Sequence, residues 1–199
     1  MPNMIMRRAG LALLTGTTLA GSAVACGAPA APPAAPAPPA ASQAQHNGQD
    51  VMFAQMMIPH HQQAITMSEH ELAVGADPAV KDLAGQIKQA QAPEIQTMQG
   101  WLAAWRARPM PGGMMGHGGH QGHGGGMMNP QQMTEFQQAR GETADRLFLQ
   151  MMIQHHQGAV DMARPEQQQG QDLRAKQLAT SIVDSQQAQI TQMQHMLGH

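Results

Sequence analysis

The chain has 199 residues, a formal net charge of −2 at pH 7, one cysteine and no tyrosine. Its few charges form no basic patch and its aromatic content is only 3%, so neither an electrostatic nor a stacking surface for nucleic acid is present. A single cysteine also excludes an intramolecular disulfide.

The first 25 residues have the pattern of an export signal. Arg7 and Arg8 form the positive start, residues 9–20 are apolar, and Ala-Val-Ala at 23–25 is a small-residue cleavage signature. The apolar stretch is too short to span a bilayer as a mature helix. We therefore predict a signal peptide at 1–25 and an exported protein, periplasmic or otherwise outside the cytoplasmic membrane.

Cys26 follows the cleavage signature directly, a placement that resembles the lipobox of bacterial lipoproteins. Lipidation of Cys26 would give a membrane tether; secretion without lipid is the alternative, because Ala23 stands where lipoboxes usually have leucine. Residues 26–45 are rich in Ala and Pro, a composition that favours extended chain and cannot bury a core. We predict a tether at 26–45 and one domain at 46–199.

An internal repeat dominates that domain. Phe53-Ala-Gln-Met-Met-Ile-Pro-His-His-Gln-Gln-Ala-Ile-Thr-Met67 recurs as Phe148-Leu-Gln-Met-Met-Ile-Gln-His-His-Gln-Gly-Ala-Val-Asp-Met162, an offset of 95 residues. The same register aligns Ile87 with Ile182 and Met98 with Met193. Chance does not keep one register over so many positions, so the domain is a duplication.

Each half contains two amphipathic helices. Apolar residues recur at helical spacing, and the predicted helices cover roughly 48–73, 78–106, 131–163 and 170–197. Asp77-Pro78 and Asn129-Pro130 have the form of an N-cap followed by proline at the first helical position. Pro59 and Pro93 fall inside the first two helices, where we expect kinks or unpartnered carbonyls. The predicted fold is all-α, a four-helix bundle made of two duplicated helical hairpins.

The segment 110–128, between the halves, is rich in glycine and also contains five methionines and three histidines. Glycine at this density does not hold one conformation. We predict that His117, His120 and His123 capture metal weakly, because ordering such a segment costs entropy. The alternative is a linker whose histidines are incidental.

Two pairs of adjacent histidines lie on the core-facing stripes of the first and third predicted helices. They are His60 with His61 and His155 with His156. Neighbours on a helix point about 100° apart, so each pair can address two neighbouring helices. Buried imidazoles are costly unless their nitrogens are partnered, and a metal ion supplies such partners. The alternative is hydrogen bonding to backbone or glutamine.

Methionines flank both histidine pairs. They are Met56, Met57 and Met67 in the first half and Met151, Met152 and Met162 in the second. Thioether sulfur selects Cu(I), whereas imidazole accepts copper in either oxidation state, so copper is the predicted metal and silver its mimic. For four methionines core packing explains the pattern as well as ligation does: Met67, Met98, Met162 and Met193.

Glu94 falls on the apolar stripe of the second predicted helix, where its carboxylate would be desolvated. It could bind metal, orient a histidine, or reach solvent at the Pro93 kink. Its counterpart in the second half is Gln189, so any such role is one-sided. The other glutamines are predicted to lie on solvated helix faces.

At these motifs the sequence resembles a bacterial family catalogued as a domain of unknown function. The shared patterns are Met-Ile-Pro-His-His-Gln, Met-Met-Ile-Gln-His-His-Gln-Gly-Ala and Glu-Ile-x-x-Met-x-x-Trp-Leu, within residues 48–197. The resemblance implies a ferritin-like bundle related to CopM-like periplasmic copper-binding proteins. It also implies copper tolerance through the paired histidines and their methionine neighbours. Gln189 departs from the family pattern, which has glutamate there.

The predicted function is copper sequestration or buffering in the cell envelope, without enzymatic activity. A ferritin-like metal oxidase is one alternative, but no glutamate stands three residues before a paired histidine, as di-iron bundles require. A haem bundle with His/Met ligation and a purely structural helical domain are the others. The sequence does not identify a protein partner.

Overall fold

A computed structural model of the chain describes residues 45–108 and 125–198. These residues form five helices: α1 (Gly48–Val74), α2 (Pro78–Ala104), α3 (Pro130–Gln138), α4 (Glu142–Gln169) and α5 (Leu173–Met196). No strand occurs in these two ranges, so the described part of the chain is all-α, as the sequence predicted. None of the described helices is long and apolar enough to cross a membrane.

Several sequence predictions lie outside the described residues. They concern the signal peptide, the tether with Cys26, and the loop histidines His117, His120 and His123. These remain predictions.

The helices begin where the sequence places capping residues. Asn47 caps α1 and forms a capping box with Asp50, while Asp77 and Asn129 cap α2 and α3 with proline at the first turn. Such side chains accept hydrogen bonds from backbone N–H groups that have no partner within the helix. Both predicted Asx-Pro helix starts are therefore confirmed.

The single helix predicted at 131–163 is wrong. The chain breaks at Ala139–Gly141 into α3 and α4, and α4 then continues through Pro165 to Gln169. Gly141 has φ +58°, a backbone conformation that favours glycine, and its N–H donates to the carbonyl of Val74 at 2.9 Å. The break depends on this contact with the end of α1, which the periodicity of the segment could not show.

The four long helices pack as two hairpins. Helix α1 packs against α2, α4 against α5, and α1 also packs against α4, while the short α3 lies on α4. Their apolar faces form two clusters. The first contains Met67, Leu83, Phe148 and Met193, and the second contains Phe53, Met57, Ile95 and Ile182. Burial of these side chains is the main stabilising contribution, as in most helical domains.

Two equivalent aspartates tie the halves together. Asp145 on α4 accepts from the N–H groups of Ala76 and Asp77, in the turn before α2, at 2.9 and 3.0 Å. Asp50 on α1 accepts from the N–H groups of Gln171 and Asp172, in the turn before α5, at 3.0 and 2.9 Å. Each half therefore satisfies backbone donors of the other, which fixes how α1 and α4 lie against each other.

Candidate metal centre

The four paired histidines are buried in the interior of the domain. His60, His61, His155 and His156 are each at most 1% exposed. The His60 and His155 rings, from α1 and α4, have centroids 3.6 Å apart, whereas the two histidines within each pair are 6.4 Å apart. The duplication thus brings one histidine from each half into direct contact.

A polar layer separates the two apolar clusters on every long helix. On α1 the buried apolar residues before His60 belong to the second cluster and those after His61 to the first. The order is reversed on α4, around His155 and His156. On α2 and α5 the positions between the clusters carry Gln91 and Glu94, and Gln186 and Gln189.

Gln91 and Gln186 correct the prediction that the glutamines other than Gln189 face solvent. They are equivalent in the duplication, only 3% and 2% exposed, and the Oε1 atom of each has no hydrogen-bond partner among the described residues. One signal in the sequence could have identified them, because each stands one helical turn before Glu94 or Gln189. Most other glutamines are exposed.

One histidine of each pair contacts a polar residue on the neighbouring helix of its own hairpin. His61 Nε2 lies 2.7 Å from Glu94 Oε2, and His156 Nε2 lies 2.7 Å from Gln189 Oε1. Of the three roles that the sequence left open for Glu94, this contact matches the orientation of a histidine. Direct ligation by Glu94 remains a prediction.

The other two histidines differ from each other. His60 Nε2 donates to the carbonyl of Gly125 at 2.6 Å, at the start of the described segment that leads into α3. Neither ring nitrogen of His155 has a partner among the described residues. The Nδ1 atoms of His60, His61 and His156 also lack one. A buried ring nitrogen without a hydrogen-bond partner costs free energy unless a metal ion or another group binds it.

Burial keeps three of these imidazoles neutral. It lowers the pKa of His60 to about 3, with a further contribution from His61, and that of His156 to about 4. The pKa of His155 is also lowered, first by burial and then by the neighbouring His60. Neutral imidazole is the form that binds metal, so protons do not compete for these nitrogens near neutral pH.

The predicted methionine ligands fall into two groups. Six are buried in the apolar clusters: Met57, Met67, Met98, Met151, Met152 and Met193. The other two, Met56 and Met162, line a groove of about 660 Å³ together with Met127 and Gly125. The carbonyl of Gly125 accepts from His60, so the groove lies beside the residue that His60 contacts.

The paired histidines are not already arranged as a complete metal site. Within residues 45–108 and 125–198, no three or more His, Cys, Asp and Glu side chains, these four histidines included, are grouped to hold one ion. The imidazoles that the interior brings closest together are those of His60 and His155.

Fold and site together define an all-helical protein with a histidine-lined interior. The family described as "Domain of unknown function (DUF305)" matches residues 50–197, and the chain belongs to this family. Among curated proteins, none matches the sequence significantly.

Three solved structures illustrate the similarity. A DUF305 fragment from Deinococcus radiodurans is 29% identical, with a TM-score of 0.66, covering 77% of this chain and 97% of that one. A DUF305 protein from Streptomyces coelicolor, described as secreted, is 33% identical with a TM-score of 0.67, covering 75% and 92%. CopM in its Cu(II)-bound form is 38% identical with a TM-score of 0.63, covering 74% and 94%. CopM has also been solved with Cu(I) and with silver bound.

Proposed function

We propose that this protein binds copper in the cell envelope and sequesters or buffers it through histidine and methionine. The observation that carries the proposal is the buried histidine layer, in which His60 and His155 meet at 3.6 Å and Nδ1 of each histidine lacks a partner. Copper would be the cargo of this layer. The protein is not an enzyme in this proposal.

The chemistry of the donors fits copper better than harder metals. Neutral imidazoles bind Cu(I) and Cu(II), and thioethers favour Cu(I). Met56 and Met162 line the groove beside Gly125, whose carbonyl accepts from His60, so soft donors lie near the residue that His60 contacts. The similarity to CopM, solved with Cu(II), Cu(I) and silver, supports the same choice.

The wider setting belongs to the same proposal. The four long helices form a ferritin-like four-helix bundle, and the export signal with the Ala/Pro tether delivers it to the envelope, with Cys26 as its lipid anchor. The relative from Streptomyces coelicolor is described as a secreted protein, which supports export. The loop histidines His117, His120 and His123 add labile copper capture outside the bundle.

Metal preference tests the proposal directly. Under reducing conditions the purified protein is expected to bind Cu(I) and Ag(I) far more tightly than Zn(II) or Fe(II), because thioether and imidazole outnumber carboxylates in the centre. Competition with a chromophoric Cu(I) chelator, in parallel with zinc titration, measures this. Equal or stronger retention of zinc would contradict the proposal, and a Soret band in the purified protein would favour the haem alternative.

A further inference from the structure

The two outer histidines have the same geometry but differently charged partners. His61 Nε2 and His156 Nε2 each lie 2.7 Å from an oxygen of the equivalent residue on the neighbouring helix. That oxygen belongs to a carboxylate at Glu94 and to a neutral amide at Gln189. Both histidines are fully buried, and the Glu94 side chain is only 19% exposed. The half-sites therefore differ by one charge at matched positions.

These contacts also decide which ring nitrogen is available to a metal. Carboxylate and amide oxygens accept hydrogen bonds, so Nε2 of each ring donates and carries the proton in the neutral form. The lone pair is then on Nδ1, which has no partner among the described residues in either histidine. A metal would bind each outer histidine through Nδ1, with the oxygen acceptor behind the ring.

A carboxylate behind the ring changes the binding of a cation in two ways. Its hydrogen bond makes the imidazole a stronger donor. Its negative charge attracts the bound ion across the ring, and this attraction is twice as large for a divalent ion as for a monovalent one. The amide of Gln189 offers the hydrogen bond without the charge.

We infer that the duplicated centre contains two unequal copper half-sites: Glu94 makes the His61 half selective for Cu(II), whereas Gln189 leaves the His156 half suited to Cu(I). This inference rests on the proposed copper function and concerns the division of oxidation states within it. Glu94 acts as a positioning and charge-compensating residue in this role, not as a ligand.

The duplication supplies matched variants for the test. Glu94→Gln gives the first half the partner that the second half already accommodates, so the fold is expected to be preserved. Gln189→Glu makes the reverse change. Glu94→Gln is expected to weaken Cu(II) binding by about 10- to 100-fold and to weaken Cu(I) or Ag(I) binding much less. Gln189→Glu is expected to create a second tight Cu(II) site.

Combining the two substitutions should move the tight Cu(II) site from one half to the other. In the native sequence His61→Gln removes that site, whereas in the double variant His156→Gln does so. Affinities are measured by chelator competition with CuSO₄ and, under reductant, with Cu(I) and Ag(I). Circular dichroism checks the fold, and ¹⁵N chemical shifts of the ring nitrogens check that Nε2 carries the proton in metal-free protein.

The outcomes separate this inference from the proposed function. If the native protein retains no copper, the proposed function is wrong and the inference falls with it. If copper binds tightly but Glu94→Gln leaves Cu(II) affinity unchanged, or lowers Cu(I) and Cu(II) equally, only the inference is overturned. Protonation of His61 at Nδ1 in metal-free protein would overturn it as well.

Discussion

Contact between His60 and His155 means that each half contributes to the environment of the other. Their ring centroids are 3.6 Å apart, closer than the 6.4 Å within either pair. Burial is the largest cause of the lowered pKa of His155, and the neighbouring His60 is the second. An ion bound at one of these two rings therefore lies beside the other, and the halves should not bind copper independently.

The residue-scale prediction is that replacing one pair weakens the other. Changing His60 and His61 together to Gln is expected to lower copper affinity at His155 and His156 by at least several-fold, because the shared ring contact is lost. Equilibrium titration of copper measures this, with circular dichroism as the folding control. His195→Gln, on the exposed face near the end of α5, is the matched control and should change nothing. Loss of half the tight copper, with the rest at unchanged affinity, would contradict coupling.

At the scale of elements, the segment 125–128 is docked against α1 and α4. The Gln63 side chain donates to the Met128 carbonyl at 2.9 Å and accepts from the Met128 N–H at 2.7 Å. On the other side Gly125 and Gly126 lie directly against the backbone at Gly158 of α4, where a Cβ would collide with the Gly125 carbonyl. Glycine at 158 thus allows the approach that places the Gly125 carbonyl on His60.

The element-scale prediction uses two helix glycines. Gly158→Ala is expected to destabilise the domain by about 1–3 kcal/mol, because its methyl group meets backbone that cannot move aside like a side chain. Gly100→Ala, in an open position of α2, is expected to stabilise it by about 0.5–1 kcal/mol through helix propensity. Denaturant unfolding of metal-free protein compares the two. Equal effects of both substitutions would show that the segment is not docked at Gly158 in solution.

For the whole molecule, two buried carboxyl pairs stand at the points where the halves are tied. Burial, and next the neighbouring Asp145, raises the pKa of Glu71 to about 8. Burial and Asp50 raise the pKa of Glu166 to about 8 in the same way. Both glutamates are fully buried. Each protonated glutamic acid can donate to the aspartate of the other half, Glu71 to Asp145 and Glu166 to Asp50, an interaction that ionisation would turn into repulsion.

Stability of the metal-free domain should consequently pass through a maximum near pH 6.5. Because the pKa values of the two glutamates are raised in the fold, their contribution to stability is complete below about pH 4.5 and is lost as pH rises towards 8. The lowered pKa values of the buried histidines act oppositely: their contribution is complete above about 6.5 and is lost towards pH 3–4. Below pH 6.5 the loss of the histidine contribution lowers stability more than the glutamates raise it. Above pH 6.5 only the glutamate contribution still changes, and stability falls.

Thermal unfolding between pH 5 and 9, in the presence of a chelator, measures this profile. Glu71→Gln, which imitates the protonated acid, is expected to reduce the fall above pH 6.5, with the midpoint shifting by roughly 2–4 °C per kcal/mol. Glu69→Gln is the control, since Glu69 is exposed and paired with Lys88 on the surface. A native midpoint that keeps rising to pH 9 would show that Glu71 and Glu166 are already ionised in the fold.

The sequence by itself determined the repeat, the all-helical class and the capped starts of α2 and α3. These follow from comparing the sequence with itself at an offset of 95 residues, and from two local signals: a period near 3.6 and the Asx-Pro pairs. It also predicted that the paired histidines face the interior, because they share a stripe with Phe53 and Met57. The sequence did not predict the break before α4, because the Gly141 conformation is supported by Val74 on another helix.

Only the tertiary structure decided which nitrogens and oxygens meet. Spacing along one helix gives the face of a side chain but not its partner on another helix. The His60–His155 contact, the Gly125 carbonyl on His60 and the buried Gln91 and Gln186 all depend on how α1 and α4 pack and where the segment before α3 docks. That packing is fixed by contacts more than 60 residues apart in the chain, such as Asp145 with the turn before α2, which no local pattern encodes.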